Sequence, residues 1–135
     1  MREPRPSLPW SRDRVVRRHQ YETWMTSRAW LSLRAHWRDT FVAVSGVEPT
    51  CAACKEPWTL QNGDFHHRSY DRLGYEHFND LVPLCRACHE RVHRILESTP
   101  AWRRLGRAQA SDVIVGRLRA RASERGADEQ SGGQR

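Results

Sequence analysis

The sequence predicts a mainly helical α+β domain whose small core is held together by bound metal. Three observations predict this fold. Apolar residues recur at helical spacing on both sides of a central stretch that glycine and proline interrupt. Only 38% of the 135 residues are apolar, so the core is small and needs an additional constraint. Two Cys-x-x-Cys pairs supply residues suited to that constraint.

The length and composition indicate one soluble domain. A chain of 135 residues builds a single modest core rather than two. Its N-terminal part is rich in arginine and proline, and no continuous apolar stretch suits a signal peptide or a membrane span. We therefore expect a cytoplasmic protein without a membrane partner, whose reduced cysteines favour metal over disulfides.

The charge favours a polyanionic partner. The net charge is +7, and Lys55 is the only lysine, so almost all of the positive charge comes from arginine. The planar guanidinium suits bidentate contact with phosphate, which favours nucleic acid as the partner. A GC-rich genome would give the same excess of arginine without functional consequence, so the net charge is the stronger indication.

The N-terminal part is expected to form a flexible arm and then two helices. Residues 1–11 carry three prolines and no periodicity, which is typical of an unstructured arm. Residues 12–25 are basic and suit a helix. A second helix should begin after an N-cap at Ser27, run to Val44 and stop at Gly46. Its apolar stripe, which we assign to the core, consists of Trp30, Leu33, Trp37, Phe41 and Val44.

The central part is expected to form two short strands and a helix. Glycine and proline interrupt the pattern between Cys51 and Cys85, and short extended pieces are predicted at 58–60 and 65–69. Helical spacing returns at 86–97.

The C-terminal part is expected to form two basic helices and a tail. The helices are predicted at 101–109 and 112–125, with Ser111 as the N-cap of the second. The polar, glycine-rich residues 126–135 are predicted to be disordered. The arginines of these helices suit electrostatic contact with a DNA groove, although a solvated surface would have the same composition. They are Arg103, Arg104, Arg107, Arg117, Arg119, Arg121 and Arg125.

The four cysteines predict a structural zinc site. Cys51 and Cys54 form one C-x-x-C pair, and Cys85 and Cys88 form the other. Two such pairs deliver four thiolates to one tetrahedral ion and leave no position open for a substrate. A redox-active pair or an iron–sulfur centre is the alternative, but the βαβ context of a redox pair is absent from the sequence.

Histidines cluster around the second cysteine pair. His66 and His67 are neighbours on a predicted strand, so their side chains should point to opposite faces and take different roles. His89 and His93 are four residues apart on a predicted helix, which places both on one face and suits a shared metal ion.

The order of these motifs resembles that of the HNH endonuclease family. The resemblance extends over residues 21–93, about half of the chain. Its features, in order, are a helical lead-in with Tyr21, Ser27, Trp30 and Arg34, the first C-x-x-C pair, the His66–His67 pair, the Asn-Asp-Leu segment at 79–81 and the motif LCRACH at 84–89.

The resemblance implies a small ββα-metal core of the HNH, or His-Me finger, type within a nuclease domain at 12–125. This domain would contain a helical lead-in at 12–46, a core with the zinc site and the ββα-metal motif at 51–97, and basic helices at 101–125.

The resemblance also assigns roles to four histidines. His67 matches the general base that activates water, a task that a neutral imidazole performs near pH 7. His66 matches the first metal ligand, and His89 matches the last histidine of the motif. His93 corresponds to an additional ligand that some relatives have.

The sequence departs from the family at the middle position of the motif. Asp80 occupies the place of the usual asparagine, and Asn79 lies one residue earlier. The resemblance places this residue in the catalytic set, where it ties a loop to the strand that carries the base. Aspartate accepts the same backbone N–H bonds but does not donate as an amide does.

In the family one divalent ion, which is magnesium, manganese, nickel or zinc, contacts the scissile phosphate and the 3′ leaving oxygen. Hydrolysis leaves 5′-phosphate and 3′-hydroxyl ends, and the substrate expected here is DNA. Arginines near the motif are expected to hold the phosphodiester backbone, with a solvated surface as the alternative. They are Arg68, Arg72, Arg86 and Arg91.

Two hypotheses for the function follow. The first is an active endonuclease. The second is a catalytically inactive zinc protein that binds DNA or serves in an assembly, which the departure at Asp80 favours. The compact sequence without a separate recognition domain suits a phage or prophage protein that acts beside packaging proteins. The remaining histidines, His19, His36 and His77, are assigned to surfaces and a loop.

Overall fold

The computed structural model describes residues 11–132 and has the predicted α+β class, with helices in the majority. The predicted arm at 1–11 lies, apart from Ser11, outside the described residues. None of the described helices is both long enough and apolar enough to cross a bilayer. The elements are α1 (Arg14–Met25), α2 (Arg28–Ser45), β1 (Gly63–His67), a 3-10 turn (Phe78–Asp80), β2 (Leu81–Cys85), α3 (Arg86–Glu97), α4 (Pro100–Leu105) and α5 (Arg107–Gly132).

Both N-terminal helices are present, and α1 begins two residues later than predicted, after an N-cap at Asp13. The Asp13 side chain accepts hydrogen bonds from the first backbone N–H groups of α1. At α2 the Ser27 hydroxyl accepts from the N–H of Trp30 at 3.1 Å, and Gly46 ends the helix with a left-handed φ of 76°. The predicted N-cap and stop of α2 are therefore confirmed.

The sheet consists of two antiparallel strands, of which the sequence predicted only one. The predicted strand at 65–69 overlaps β1, but residues 58–60 form no strand, and the partner of β1 is β2 at 81–85. Pro83 has no N–H to donate to a neighbouring strand, so the sequence does not indicate a strand there. The proline is tolerated because its side of β2 is an edge, where its carbonyl accepts only from the N–H of Ala52.

The sheet lies between two hydrophobic clusters. On one face, Phe65 and Leu81 pack in an aromatic cluster with Trp30, Trp37 and Trp58. The opposite face belongs to an aliphatic cluster formed with α3 and α5, which consists of Cys51, Ala53, Leu84, Cys88, Val92, Ile114 and Leu118. Because side chains alternate along a strand, the adjacent residues of β1 point into different clusters.

The end of the first C-terminal helix and the start of the second both differ from the prediction. Gly106, with a φ of 90°, ends α4 early, and α5 then runs without interruption from Arg107 to Gly132. Ser111 is not an N-cap: it lies inside α5 and is fully buried. A continuous apolar stripe that includes Ala110, Ile114 and Leu118 explains why the helix does not break there. The structure continues α5 into the predicted tail as far as Gly132.

The close approach of β1 to Trp58 leads to a prediction about two glycines. A Cβ atom at Gly63 would lie 2.1 Å from the indole Nε1 of Trp58, so Gly63→Ala should lower the free energy of unfolding by about 1–3 kcal/mol. Gly116 in α5 has no neighbouring atom within 4 Å of such a Cβ. Gly116→Ala should raise the free energy of unfolding by about 0.5–1 kcal/mol, because alanine favours a helix interior. Urea denaturation measures both values, and equal stabilities of the two variants would contradict this packing.

Candidate metal centres

The four cysteines converge at the start of α3. Cys51 and Cys54 lie on the loop before β1, Cys85 ends β2, and Cys88 lies in the first turn of α3. All four sulfur atoms lie within 4.8 Å of one another, and the sulfurs of Cys54 and Cys85 are 3.8 Å apart. Two sulfurs bound to one tetrahedral zinc at about 2.3 Å are separated by about 3.8 Å. The cluster therefore fits a zinc ion, as the sequence predicted.

Backbone N–H groups already point at two of these sulfurs. The N–H of Cys54 donates to the sulfur of Cys51 at 3.5 Å, and the N–H of Cys88 donates to the sulfur of Cys85 at 3.4 Å. Burial raises the pKa of the Cys51 thiol, but backbone hydrogen bonds outweigh this effect and lower that pKa below its usual value. All four cysteines are free of disulfides. These hydrogen bonds favour the thiolate form of Cys51, the form that a zinc ion binds, whereas burial raises the pKa of the Cys54 and Cys88 thiols above its usual value.

Three histidines form a second cluster between α3 and the face of β1 that points away from the aromatic cluster. His66 projects from β1, and His89 and His93 project from successive turns of α3. One nitrogen of each ring lies within 4.8 Å of the others, and the Nε2 atoms of His89 and His93 are 3.0 Å apart. We call this set the histidine triad.

Contacts with Asp64 and Ser111 orient two rings of the triad. The Asp64 carboxylate lies 3.1 Å from Nδ1 of His89, and since a carboxylate only accepts, Nδ1 carries the proton and Nε2 the lone pair. The Nε2 of His66 is 2.8 Å from the Ser111 hydroxyl, and its Nδ1 is buried without a protein partner. A bound metal ion would satisfy the buried Nδ1 of His66 by accepting its lone pair.

Burial keeps two rings of the triad neutral. Burial, with the positive charge of Arg107 as the next cause, lowers the pKa of His66 to about 2. Burial and the neighbouring His89 lower the pKa of His93 to about 4. A neutral imidazole is the form that binds metal, so both rings are ready to act as ligands at physiological pH.

The triad is open on one side. His89 and His93 line a surface pocket together with Glu90 and Arg94. Three protein nitrogens and an open side are what a metal site needs in order to admit water or a substrate oxygen. The cysteine cluster, with four thiols, has no such vacancy in its ligand set. The two clusters therefore suit different tasks.

His67 lies apart from the triad on the opposite face of β1. Its ring is 2% exposed and stacks between Trp30 and Tyr70, with ring centroids 5.4 Å away on both sides. Its Nε2 lies 2.9 Å from the carboxylate of Glu76, which is itself buried. The structure thus confirms that His66 and His67 point to opposite faces, and it does not bring His67 into the ligand set.

Glu76 is held by further donors. Its carboxylate accepts from the indole of Trp24 at 2.9 Å and from the N–H of Gly74 at 2.6 Å. A carboxylate with these donors is an acceptor only, so His67 donates through Nε2 and its lone pair lies on Nδ1. The buried Glu76 carboxylate thus orients the His67 imidazole, an arrangement that suits a general base.

Asp80 ties the loop before β2 to the end of β1. Its buried carboxylate accepts from the N–H of His77 at 2.8 Å and from the guanidinium of Arg72, with one contact of 2.7 Å to Nε. Its carbonyl accepts from the N–H of Arg68 at 2.8 Å. Asp80 therefore accepts a backbone N–H bond, as the sequence predicted for an aspartate in this position.

The arginines predicted to contact DNA divide into two groups. Arg68 is paired bidentately with Asp112 at 2.7 and 2.6 Å, and Arg72 is paired with Asp80. Arg86 is 76% exposed and lies 3.8 Å from Asp64, and Arg91 is exposed. The second group is thus the more accessible to a ligand.

Arg107 was predicted to belong to a DNA-binding surface, but the structure gives it internal contacts. Its guanidinium donates to the carbonyl of His67 at 2.9 Å and to the hydroxyl of Tyr70 at 3.0 Å. These bonds join the start of α5 to the end of β1.

Three residues around the clusters were missed by the sequence analysis. Asp64 could have been found, because it lies two residues before His66 and so shares its face of the strand. Ser111 and Glu76 gave no signal, because their contacts join segments 45 and 9 residues apart.

Comparisons with protein-family models, with curated proteins and with solved structures found no match to this chain.

The cysteine cluster leads to a prediction about zinc. The purified chain should hold about one equivalent of tightly bound zinc, and Cys54→Ser should lose it. The free energy of unfolding should fall by more than about 3 kcal/mol, because binding of structural zinc contributes directly to folding. Elemental analysis and denaturant unfolding give the two values. His93→Ala is the matched control and should keep this zinc. A Cys54→Ser protein with unchanged melting would contradict the prediction.

The triad leads to a prediction about a second ion. In protein with zinc at the cysteines, Asp64→Asn should weaken nickel binding by about 10- to 100-fold, because the neutral amide holds the His89 ring less well and lowers its basicity. Isothermal titration calorimetry measures this affinity. Asp39→Asn, on the exposed face of α2, should bind nickel as the native chain does. Equal affinities of the two variants would mean that Asp64 does not support a metal site.

Proposed function

We propose that this chain is a metal-dependent endonuclease that hydrolyses phosphodiester bonds of DNA at the histidine triad. One observation carries the proposal: a ring nitrogen from each of His66, His89 and His93 lies within 4.8 Å of the others, and a separate four-cysteine cluster lies at the start of the same helix α3. The order of the motifs along the chain, which resembles that of HNH endonucleases, supports the same activity. The net charge of +7 suits a polyanionic substrate.

The triad would hold one divalent ion, which is magnesium, manganese, nickel or zinc. Such an ion supplies Lewis acidity toward the scissile phosphate and the leaving oxygen. His66, His89 and His93 supply the ligand nitrogens, while Asp64 and Ser111 fix two of the rings. Imidazole nitrogens favour the transition ions over magnesium.

His67 is the proposed general base, and Glu76 is the group that orients it. With its proton on Nε2, the ring offers Nδ1 to a water molecule. In the described structure the rings of Trp30 and Tyr70 cover His67, which lies on the opposite face of β1 from the triad. This role therefore requires the Tyr70 side to open and the scissile phosphate to come within reach of both Nδ1 of His67 and the triad when substrate binds. Hydrogen bonds of catalytic bases commonly reach their working geometry only in the substrate complex.

A second function is favoured by this same enclosure of His67. The His67 ring is 2% exposed and contacts a buried carboxylate, and a histidine with a purely structural role would have the same surroundings. The chain would then be a zinc-stabilised protein that binds DNA or serves in an assembly, without cutting.

Nicking of supercoiled plasmid with manganese or magnesium separates the two functions. The native chain should nick the plasmid, and His67→Ala should lower the rate by about 100- to 10,000-fold, the usual contribution of a general base. His93→Ala should also lower the rate but recover part of it as manganese is raised, because a lost ligand weakens metal binding, whereas His67→Ala should not recover. His36→Ala, on an exposed position of α2, is the matched control.

Two outcomes would contradict the proposal. Absence of nicking by the correctly folded native chain, with manganese and with magnesium, would favour the inactive protein. Nicking that persists unchanged in His93→Ala and in His66→Ala would show that the triad is not the site of cleavage.

A further inference from the structure

A groove of about 550 Å³ lies beside β2 and is separate in its lining from the histidine triad. Its walls come from α2, the loop with the first cysteine pair, the turn before β2, β2 itself and α5. We call it the β2 groove and define it by Trp37, Phe41, Lys55, Phe78 and Arg119. Its volume lies within the range of about 300–1,000 Å³ that small-ligand sites occupy.

One wall of the β2 groove is a stack of three aromatic rings. The ring of Phe78 lies parallel to that of Trp37, with centroids 4.8 Å apart and an interplanar angle of 7°. Phe41 stacks on the same indole at 5.4 Å and 17°. The indole Nε1 of Trp37 donates to the carbonyl of Phe78 at 3.1 Å, which fixes the turn. Phe78 is nevertheless 41% exposed and lines the groove, so a preorganised aromatic ring is accessible there.

The other side of the β2 groove carries excess positive charge. Asp112 is its one acidic lining residue, and Arg68 pairs with it bidentately. Lys55 and Arg119 are exposed, and no carboxylate within residues 11–132 lies within ion-pair distance of either. The Nζ of Lys55 contacts only a hydroxyl, that of Ser123, at 3.2 Å. Two cations beside a flat aromatic ring are thus available to an anionic ligand.

We propose that the β2 groove binds an unpaired nucleotide of a single-stranded nucleic acid, whose base stacks on Phe78 while Lys55 and Arg119 hold its phosphates. Aromatic rings beside a cationic groove are how proteins hold single strands, because every base has a face that can stack. In a duplex these faces are covered by neighbouring bases, so the groove selects unpaired over paired strands. The proposal shares its nucleic-acid ligand with the proposed function and requires no cleavage.

Fluorescence anisotropy with two labelled probes, a ten-residue oligothymidylate and a ten-base-pair duplex, tests this proposal without added catalytic metal. Phe78→Leu keeps an apolar side chain against Trp37 but removes the aromatic face. It should weaken oligothymidylate binding by about ten-fold, the order expected for one lost base stack, and leave duplex binding within about two-fold. The double variant Lys55→Gln with Arg119→Gln should weaken oligothymidylate binding and reduce its dependence on salt.

Matched controls remove an aromatic face and two charges elsewhere. Tyr75→Leu removes a ring that is 50% exposed and lies outside the β2 groove, and it should bind oligothymidylate as the native chain does. Arg14→Gln with Arg28→Gln makes the same change in charge on exposed positions of α1 and α2 and should have the smaller effect. Thermal melting establishes that each variant is folded.

The proposal is overturned if Phe78→Leu and Tyr75→Leu bind oligothymidylate equally, if both probes weaken together, or if the native chain binds neither. Displacement of the probe by polyglutamate as readily as by unlabelled oligothymidylate would also overturn it, because it would indicate an acidic-peptide site. If the native chain nicks no plasmid but prefers oligothymidylate in a Phe78-dependent way, the groove proposal stands and the nuclease proposal fails. If the chain nicks plasmid without that preference, the nuclease proposal stands and the groove proposal fails.

Discussion

The convergence of four thiols at the first turn of α3 is the contact on which the rest of the structure depends. Cys85 ends β2 and Cys88 lies in the first turn of α3, so a zinc ion shared with Cys51 and Cys54 would join the strand, the helix and the preceding loop at one point. The angle of α3 to the sheet decides whether His89 and His93 face His66. A core with few apolar residues holds that angle by the packing of Val92 against Ile114 and Leu118, and zinc bound by the four cysteines would add a second constraint on the triad.

The alternation of side chains along β1 gives neighbouring histidines opposite surroundings. The ring of His66 faces α3 and α5, where burial keeps it neutral and leaves Nδ1 without a protein partner. The ring of His67 faces the aromatic cluster, where the Glu76 carboxylate satisfies Nε2. An imidazole with an unsatisfied nitrogen suits a metal ligand, while one held by a carboxylate suits an oriented base. The proposed division of roles follows from this difference.

Local signals were predictable from the sequence, and long-range contacts were not. The N-cap at Ser27, the convergence of the cysteine pairs and the common face of His89 and His93 depend on spacing and were all predicted. The strand at Leu81–Cys85 was missed, since the cost of its proline depends on which edge of the sheet it faces. The continuity of α5 was also missed, because Ser111 has the composition of a cap but is buried against His66. In both cases tertiary packing overrides the intrinsic secondary-structure preference of the residue.

The most direct test of two metal centres on one helix is anomalous diffraction from crystals of the zinc-loaded chain soaked in manganese. We expect a zinc peak among the four cysteine sulfurs and a separate manganese peak within bonding distance of Nδ1 of His66 and Nε2 of His89 and His93. A map with the cysteine peak alone, in which the three histidine nitrogens contact only one another and water, would contradict it.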